Sequence, residues 1–83
     1  MNIDVRDIIE LEDNKNYVIV EKYEEGNYVY LMLLELDGEE VTENIKYVKI
    51  EKGKNNEVIT LTESEENQIN EILLPLFEQE YVD

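Results

Sequence analysis

Carboxylates are the abundant reactive side chains of this chain. Twenty-two Asp and Glu stand among 83 residues, with no His and no Cys. The missing His removes the usual general base near neutral pH and the commonest metal-binding nitrogen. The missing Cys removes thiolate chemistry, disulfides and Cys-based zinc or iron–sulfur centres. What remains is carboxylate acid–base work, hard-cation binding by oxygen, and aromatic contacts.

Acid–base hydrolysis of the glycosidase type needs two carboxyls held ~5–10 Å apart across a cleft, one of them with a raised pKa. Glu35, between Leu34 and Leu36, is the residue whose setting suggests a buried carboxylate. The competing reading puts it at a strand edge facing solvent, and that reading is preferred. A hard cation needs several oxygens on a sharply turning loop. Glu12-Asp13-Asn14 and Asp37-Gly38-Glu39-Glu40 offer oxygens without the spacing of an EF-hand loop. Six tyrosines, at 17, 23, 28, 30, 47 and 81, could form an aromatic platform. Strand tyrosines more often pack across strands with the hydroxyl at the sheet edge, and Tyr28 and Tyr30 become interface candidates only on an uncovered face. The expectation is a non-enzyme with no catalytic residues, no cofactor and no dedicated metal site.

The elements that would position these groups can be read from periodicity. Asp7–Leu11 is a short strand candidate and Glu12–Asn16 a turn. Tyr17–Tyr23 is aromatic and β-branched. Glu24–Asn27 reads as a tight hairpin turn in which Gly26 supplies positive φ. Tyr28–Leu36 is the strongest strand; its first seven residues carry no charge, as expected of a central strand covered on both faces. Asp37-Gly38 starts a turn, followed by an acidic loop over Glu39–Asn44. Ile45–Glu51 is a half-exposed strand, with Tyr47, Lys49 and Glu51 on one face and Val48 and Ile50 on the other. Lys52–Asn56 reads as a turn, and Glu57–Leu61 closes the sheet. Short spacings make neighbouring strands antiparallel hairpins.

The period then changes to about 3.6 residues. Thr62-Glu63-Ser64-Glu65 fits a capping box, and Glu63, Glu65 and Glu66 suit the positive end of the helix dipole. Ile69, Ile72, Leu73, Leu76 and Phe77 form the expected apolar stripe. Pro75 predicts a kink, or a helix that ends near Leu74 with a further short turn through Gln79. Tyr81-Val82-Asp83 is expected to fray. The fold class that follows is α+β: one domain over residues 1–83, a small antiparallel meander of four or five strands, curled or barrel-like, with one C-terminal amphipathic helix packed on it.

This layout resembles the YrzB-like family of short acidic bacterial proteins. The resemblance rests on Asn27-Tyr28-Val29-Tyr30-Leu31, on Val58-Ile59-Thr60-Leu61, and on Glu63 to Phe77 with its apolar spacing. The opening Asp7–Asp13 together with Tyr17–Val20 also looks like small proteins of low-GC Gram-positive bacteria. The resemblance implies no activity and no functional residues.

Charge bounds the partners. The net charge is −15, against 7 Lys and Arg. Direct binding to nucleic acid or to an anionic membrane is therefore repelled. Residues 1–41 hold 12 acids and 3 bases, 45–60 hold 2 acids and 4 bases, and 61–83 hold 7 acids and no base. The longest apolar run, Tyr28–Leu34, has seven residues, against roughly 20 for a spanning helix. With no signal-peptide pattern over Met1–Asp7, a soluble cytoplasmic protein is expected. The expected function is non-enzymatic and works through protein contacts, the partner being a basic protein surface. The alternative is an acidic inhibitor that imitates nucleic acid on a basic nucleic-acid-binding protein, as phage antagonists do.

Overall fold

The computed structural model describes residues 4–53 and 57–81, the side chains of residues 80 and 81 excepted. Five strands run in chain order: β1 (Ile8–Glu10), β2 (Asn16–Glu25), β3 (Tyr28–Asp37), β4 (Glu40–Glu51) and β5 (Val58–Thr60). Helix α1 follows over Glu63–Tyr81. The sheet order is β1-β2-β3-β4-β5 and every pair is antiparallel, so the chain is a meander closed by one helix.

Local chemistry sets the hairpins. Gly26-Asn27 joins β2 to β3 and Gly38-Glu39 joins β3 to β4. Gly26 and Gly38 sit at φ 59° and 64°, where a Cβ would strain the backbone. The second hairpin corrects an expectation. Glu39–Asn44 is not an acidic loop, because β4 begins at Glu40, with Asp37 opposite Glu40 and Leu36 opposite Val41. The tip carries no alternating pattern because it projects beyond the core, and Val41 is exposed. A bulge between Leu34 and Leu36 adjusts the register there. The Thr42 hydroxyl donates to the Glu35 carbonyl at 2.8 Å, satisfying an acceptor at the irregular stretch.

Strand β3 is covered on both faces, as its uncharged sequence predicts. Met32 and Leu34 join Val20, Tyr47, Leu61, Ile69 and Leu73 in the core under the helix. Leu31 and Leu33 join Tyr17, Ile19, Val48 and Ile50 in a second core on the opposite face. No helix covers that second face; the curl of the sheet does, and its end strands bend round to enclose it. A bulge between Ile19 and Glu21 contributes, since an extra residue sharpens the local twist. It also changes which side chains share a face. Ile19 lies opposite Leu33, whereas Glu21 lies opposite Met32 and Tyr23 opposite Tyr30, on the helix side.

Thr62 caps α1 as its sequence predicts. Its hydroxyl accepts from the Glu65 N–H at 3.2 Å, while its own N–H donates to Glu65 Oε1 at 3.2 Å. Of the two readings of Pro75, the early end is excluded: the helix does not stop near Leu74 but runs through Pro75 to Tyr81. Glu71, whose carbonyl has no Pro75 donor, and Pro75 itself are both exposed, so water can take that carbonyl and the ring meets no neighbouring element. The stripe is also rotated. Ile69 and Leu73 are buried and Phe77 packs beside them, but Leu74 takes the place expected of Ile72 and Leu76, which are exposed. The terminal Val82-Asp83 and the turn residues 54–56 lie outside the described residues.

Candidate functional site

The curl leaves a cleft where the two ends of the sheet approach. It is lined by Glu10 of β1, Leu11, Glu12 and Asp13 after it, Lys46 and Val48 of β4, and Glu57, Val58 and Thr60 at β5, enclosing about 540 Å³. The strands that flank it stand first and last in the sheet order, so the cleft is the open seam of a half-closed barrel. Its floor is apolar (Leu11, Val48, Val58). Four carboxylates and one lysine supply its charge.

One end of the cleft is held by a tight polar network. The turn after β1 is fixed by the Leu11 N–H donating to the Lys15 carbonyl at 3.1 Å and the Asn14 N–H donating to the Leu11 carbonyl at 3.0 Å. Asn14 sits at φ 63°, a left-handed conformation that asparagine tolerates. Asp13 then accepts from the Lys15 N–H at 2.9 Å and from the Tyr17 hydroxyl at 2.7 Å. Lys46 Nζ lies 3.9 Å from the same carboxylate and 5.7 Å from the Tyr17 ring centroid. The hydrogen bond to Asp13, with burial second, pushes the Tyr17 hydroxyl up to about 12. The reciprocal bond from Tyr17, followed by the Lys15 N–H, holds Asp13 below the ordinary aspartate value.

Glu35 extends the network. Its Oε1 pairs with Lys15 at 2.9 Å and its Oε2 accepts from Asn44 Nδ2 at 2.9 Å. These two partners, Lys15 first, hold the carboxyl below the ordinary glutamate value. Glu35 therefore differs from both expectations. It is on the central strand rather than a solvent-facing edge, it is half-buried, and it is kept ionised rather than poised as an acid. The deeply buried carboxylate is instead Glu21, 6% exposed, which the bulge carries to the helix side. Strand alternation gave no sign of it, because the extra residue is set by tertiary packing.

The opposite face carries a second polar contact. Lys49 Nζ reaches Glu65 Oε2 at 2.7 Å, tying β4 to the first turn of α1, and lies 4.7 Å from the Tyr28 ring centroid. The bond to Glu65 raises the Lys49 ammonium above its ordinary value, and the same bond, with the Thr62 N–H, lowers Glu65. The Tyr47 hydroxyl donates to Asn70 Oδ1, a second tie between sheet and helix. Tyr23 and Tyr28 each lie 6.4 Å from Tyr30, ring centroid to centroid. The tyrosines do not make one platform. Tyr17 is on the cleft side, whereas Tyr23, Tyr30 and Tyr47 belong to the core under the helix. Tyr81 has its side chain outside the described residues.

The cation candidates do not converge. Asp13 already binds Tyr17, Lys15 and Lys46, and Asp37, Glu39 and Glu40 point outward around a two-residue turn. Among the described residues no group of three or more acids clusters to hold a metal. None of their helices is long and apolar enough to cross a membrane. Compared with known proteins, the chain matches no family model, no curated protein and no solved structure.

Proposed function

We propose that this chain is a small non-enzymatic binding protein that works in the cytoplasm by contacting a basic surface on another protein. One observation carries the reading: among the described residues five lysines pair with acids of the same chain, while most of the acids face outward. Lys15, Lys22, Lys46, Lys49 and Lys52 pair with Glu35, Asp4, Asp13, Glu65 and Glu24. The whole chain carries a net charge of −15, and α1 shows exposed Glu63, Glu66, Glu71 and Glu78 with no basic residue in its last turn. Such a field attracts a cationic partner over about a Debye length and repels polyanions. Against catalysis stands the state of Glu35, whose partners favour the ionised form when a general acid needs the protonated one. The YrzB-like resemblance brings no activity, so the reading stands on charge.

The second reading, an imitator of nucleic acid, has one observation in its favour: acids on α1 and on the opening strands flank the lysines of β4. The two readings share a basic partner and differ in where they bind it. The immobilised chain is mixed with lysate at about 50 mM and about 500 mM salt, and retained proteins are identified by mass spectrometry. Basic proteins held at low salt and lost at high salt support the proposal. Recovering none at low salt overturns it. Release of the retained protein by duplex DNA selects the imitator, because DNA and this chain then compete for one site.

A further inference from the structure

The cleft at the seam has a feature that its charge alone does not explain, namely unused backbone on its β1 wall. The Ile19 N–H donates to the Asp7 carbonyl at 2.9 Å and the Leu11 N–H to the Lys15 carbonyl at 3.1 Å, so residues 7 and 11 direct their backbone groups at β2. Antiparallel alternation gives Ile9 the same direction, opposite Tyr17, and turns the N–H and C=O of Ile8 and Glu10 away from β2, toward the seam side. Both flanking strands are only three residues long, and Ile8 is 63% exposed. The seam thus presents backbone donors and acceptors, an apolar floor of Leu11, Val48 and Val58, and a rim of Glu10, Glu12 and Glu57.

We infer that the seam between β1 and β5 receives an extended cationic segment of a partner protein, which pairs with β1 as an added strand. The inference rests on the basic-partner reading above and gives it a location. Each part of the cleft selects this occupant. An edge strand recognises another main chain by its hydrogen-bond row, and alternating pockets read every second side chain. Here the inward side chains would meet the apolar floor and the outward ones the carboxylates, which calls for apolar and basic residues in alternation. A second copy of this chain is a poor occupant, since each carries −15. Nucleic acid is repelled for the same reason. Lys46 is offset by Asp13, 3.9 Å away, and Glu10, Glu12 and Glu57 leave the lining net negative toward a basic guest.

The test uses the full ¹⁵N-labelled chain and two capped peptides of alternating Lys and Val. In one of them alternate amides are N-methylated, which removes strand hydrogen bonds and leaves the charge unchanged. At low salt the unmodified peptide should shift amides of Ile8–Asp13 and Glu57–Thr60. N-methylation should weaken binding by about tenfold or more, since the main-chain row is lost. Combined Glu10→Lys and Glu57→Lys changes, both at exposed positions, should weaken it comparably, and Glu63→Lys with Glu71→Lys should do so much less. Amide spectra of the variants report that each is folded. Equal binding of both peptides, or shifts confined to α1, overturns the seam and leaves the basic-partner reading standing. No shift with either peptide also overturns the seam. An empty capture experiment then marks failure of the wider reading as well.

Discussion

Asp13 holds three neighbours at once, and the residue that feels its loss most is Tyr17. Asp13→Asn keeps the shape and removes the charge. The Tyr17 hydroxyl should then titrate well below about 12, back toward the ordinary 10.0, followed by NMR of labelled tyrosine. An unchanged titration would show that burial, not Asp13, sets the value. Tyr17→Phe should cost about 1 kcal/mol through loss of one part-buried hydrogen bond, measured by urea unfolding. The sign of the pH dependence follows from the same pairs. Glu35 and Glu65 titrate below their ordinary 4.5, and Asp13 below 3.8, in the folded chain. A lowered folded value stabilises above the unfolded value, and that gain disappears as pH falls through the folded one. Tyr17 and Lys49 are raised, so their contribution is full below the unfolded values of 10.0 and 10.5 and is lost as pH climbs through the folded ones. At this scale the sequence was least informative. It singled out Glu35, whose partners Lys15 and Asn44 come from two other segments, and it gave no hint of Glu21, buried by a bulge.

The elements were more legible, because their signals are local. The capping box at Thr62, the glycines of the β2–β3 and β3–β4 hairpins and the uncharged β3 all act within a few residues of themselves. Thr62→Ala should lower stability by ~1 kcal/mol. Leu73, fully buried between sheet and helix, is the point where α1 matters most. Leu73→Asp should destabilise by several kcal/mol, since it places an unpaired charge in the core. A melting curve like the parent's would mean that α1 does not roof the sheet. Pro75 interrupts a continuous helix at an exposed position. Pro75→Ala should therefore stabilise by ~1–3 kcal/mol, restoring the hydrogen bond to Glu71, as circular dichroism melts would show. The misreadings at this scale share a cause. The β4 tip (Glu40–Asn44) projects past the core and so has no periodic signal, and the rotation of the stripe toward Leu74 depends on the crossing of α1 over a twisted sheet.

For the whole molecule, charge is legible from composition and the seam is not. One helix can cover only one face, which predicts a curled sheet, but curling brings Glu10 and Thr60 to one cleft across some fifty residues of chain, and no local pattern encodes which residues meet there. Net charge has its own consequence. Self-repulsion opposes the compact state and relaxes as pH falls toward the isoelectric point near 4.1 or as salt is added. Thermal stability should thus rise on going from pH 7 to about 5, then fall below about 4 as Asp13, Glu35 and Glu65 are protonated. Added salt should raise the melting temperature at pH 7, and a decrease would mean that ion pairs such as Lys15–Glu35 and Lys49–Glu65 outweigh the net repulsion. The same field underlies the proposed function. Its most direct test is the dissociation constant of a retained basic protein measured across a salt series. Affinity should decline steadily as salt rises from about 50 to about 500 mM. Affinity that stays flat over that range would show that charge does not drive the contact.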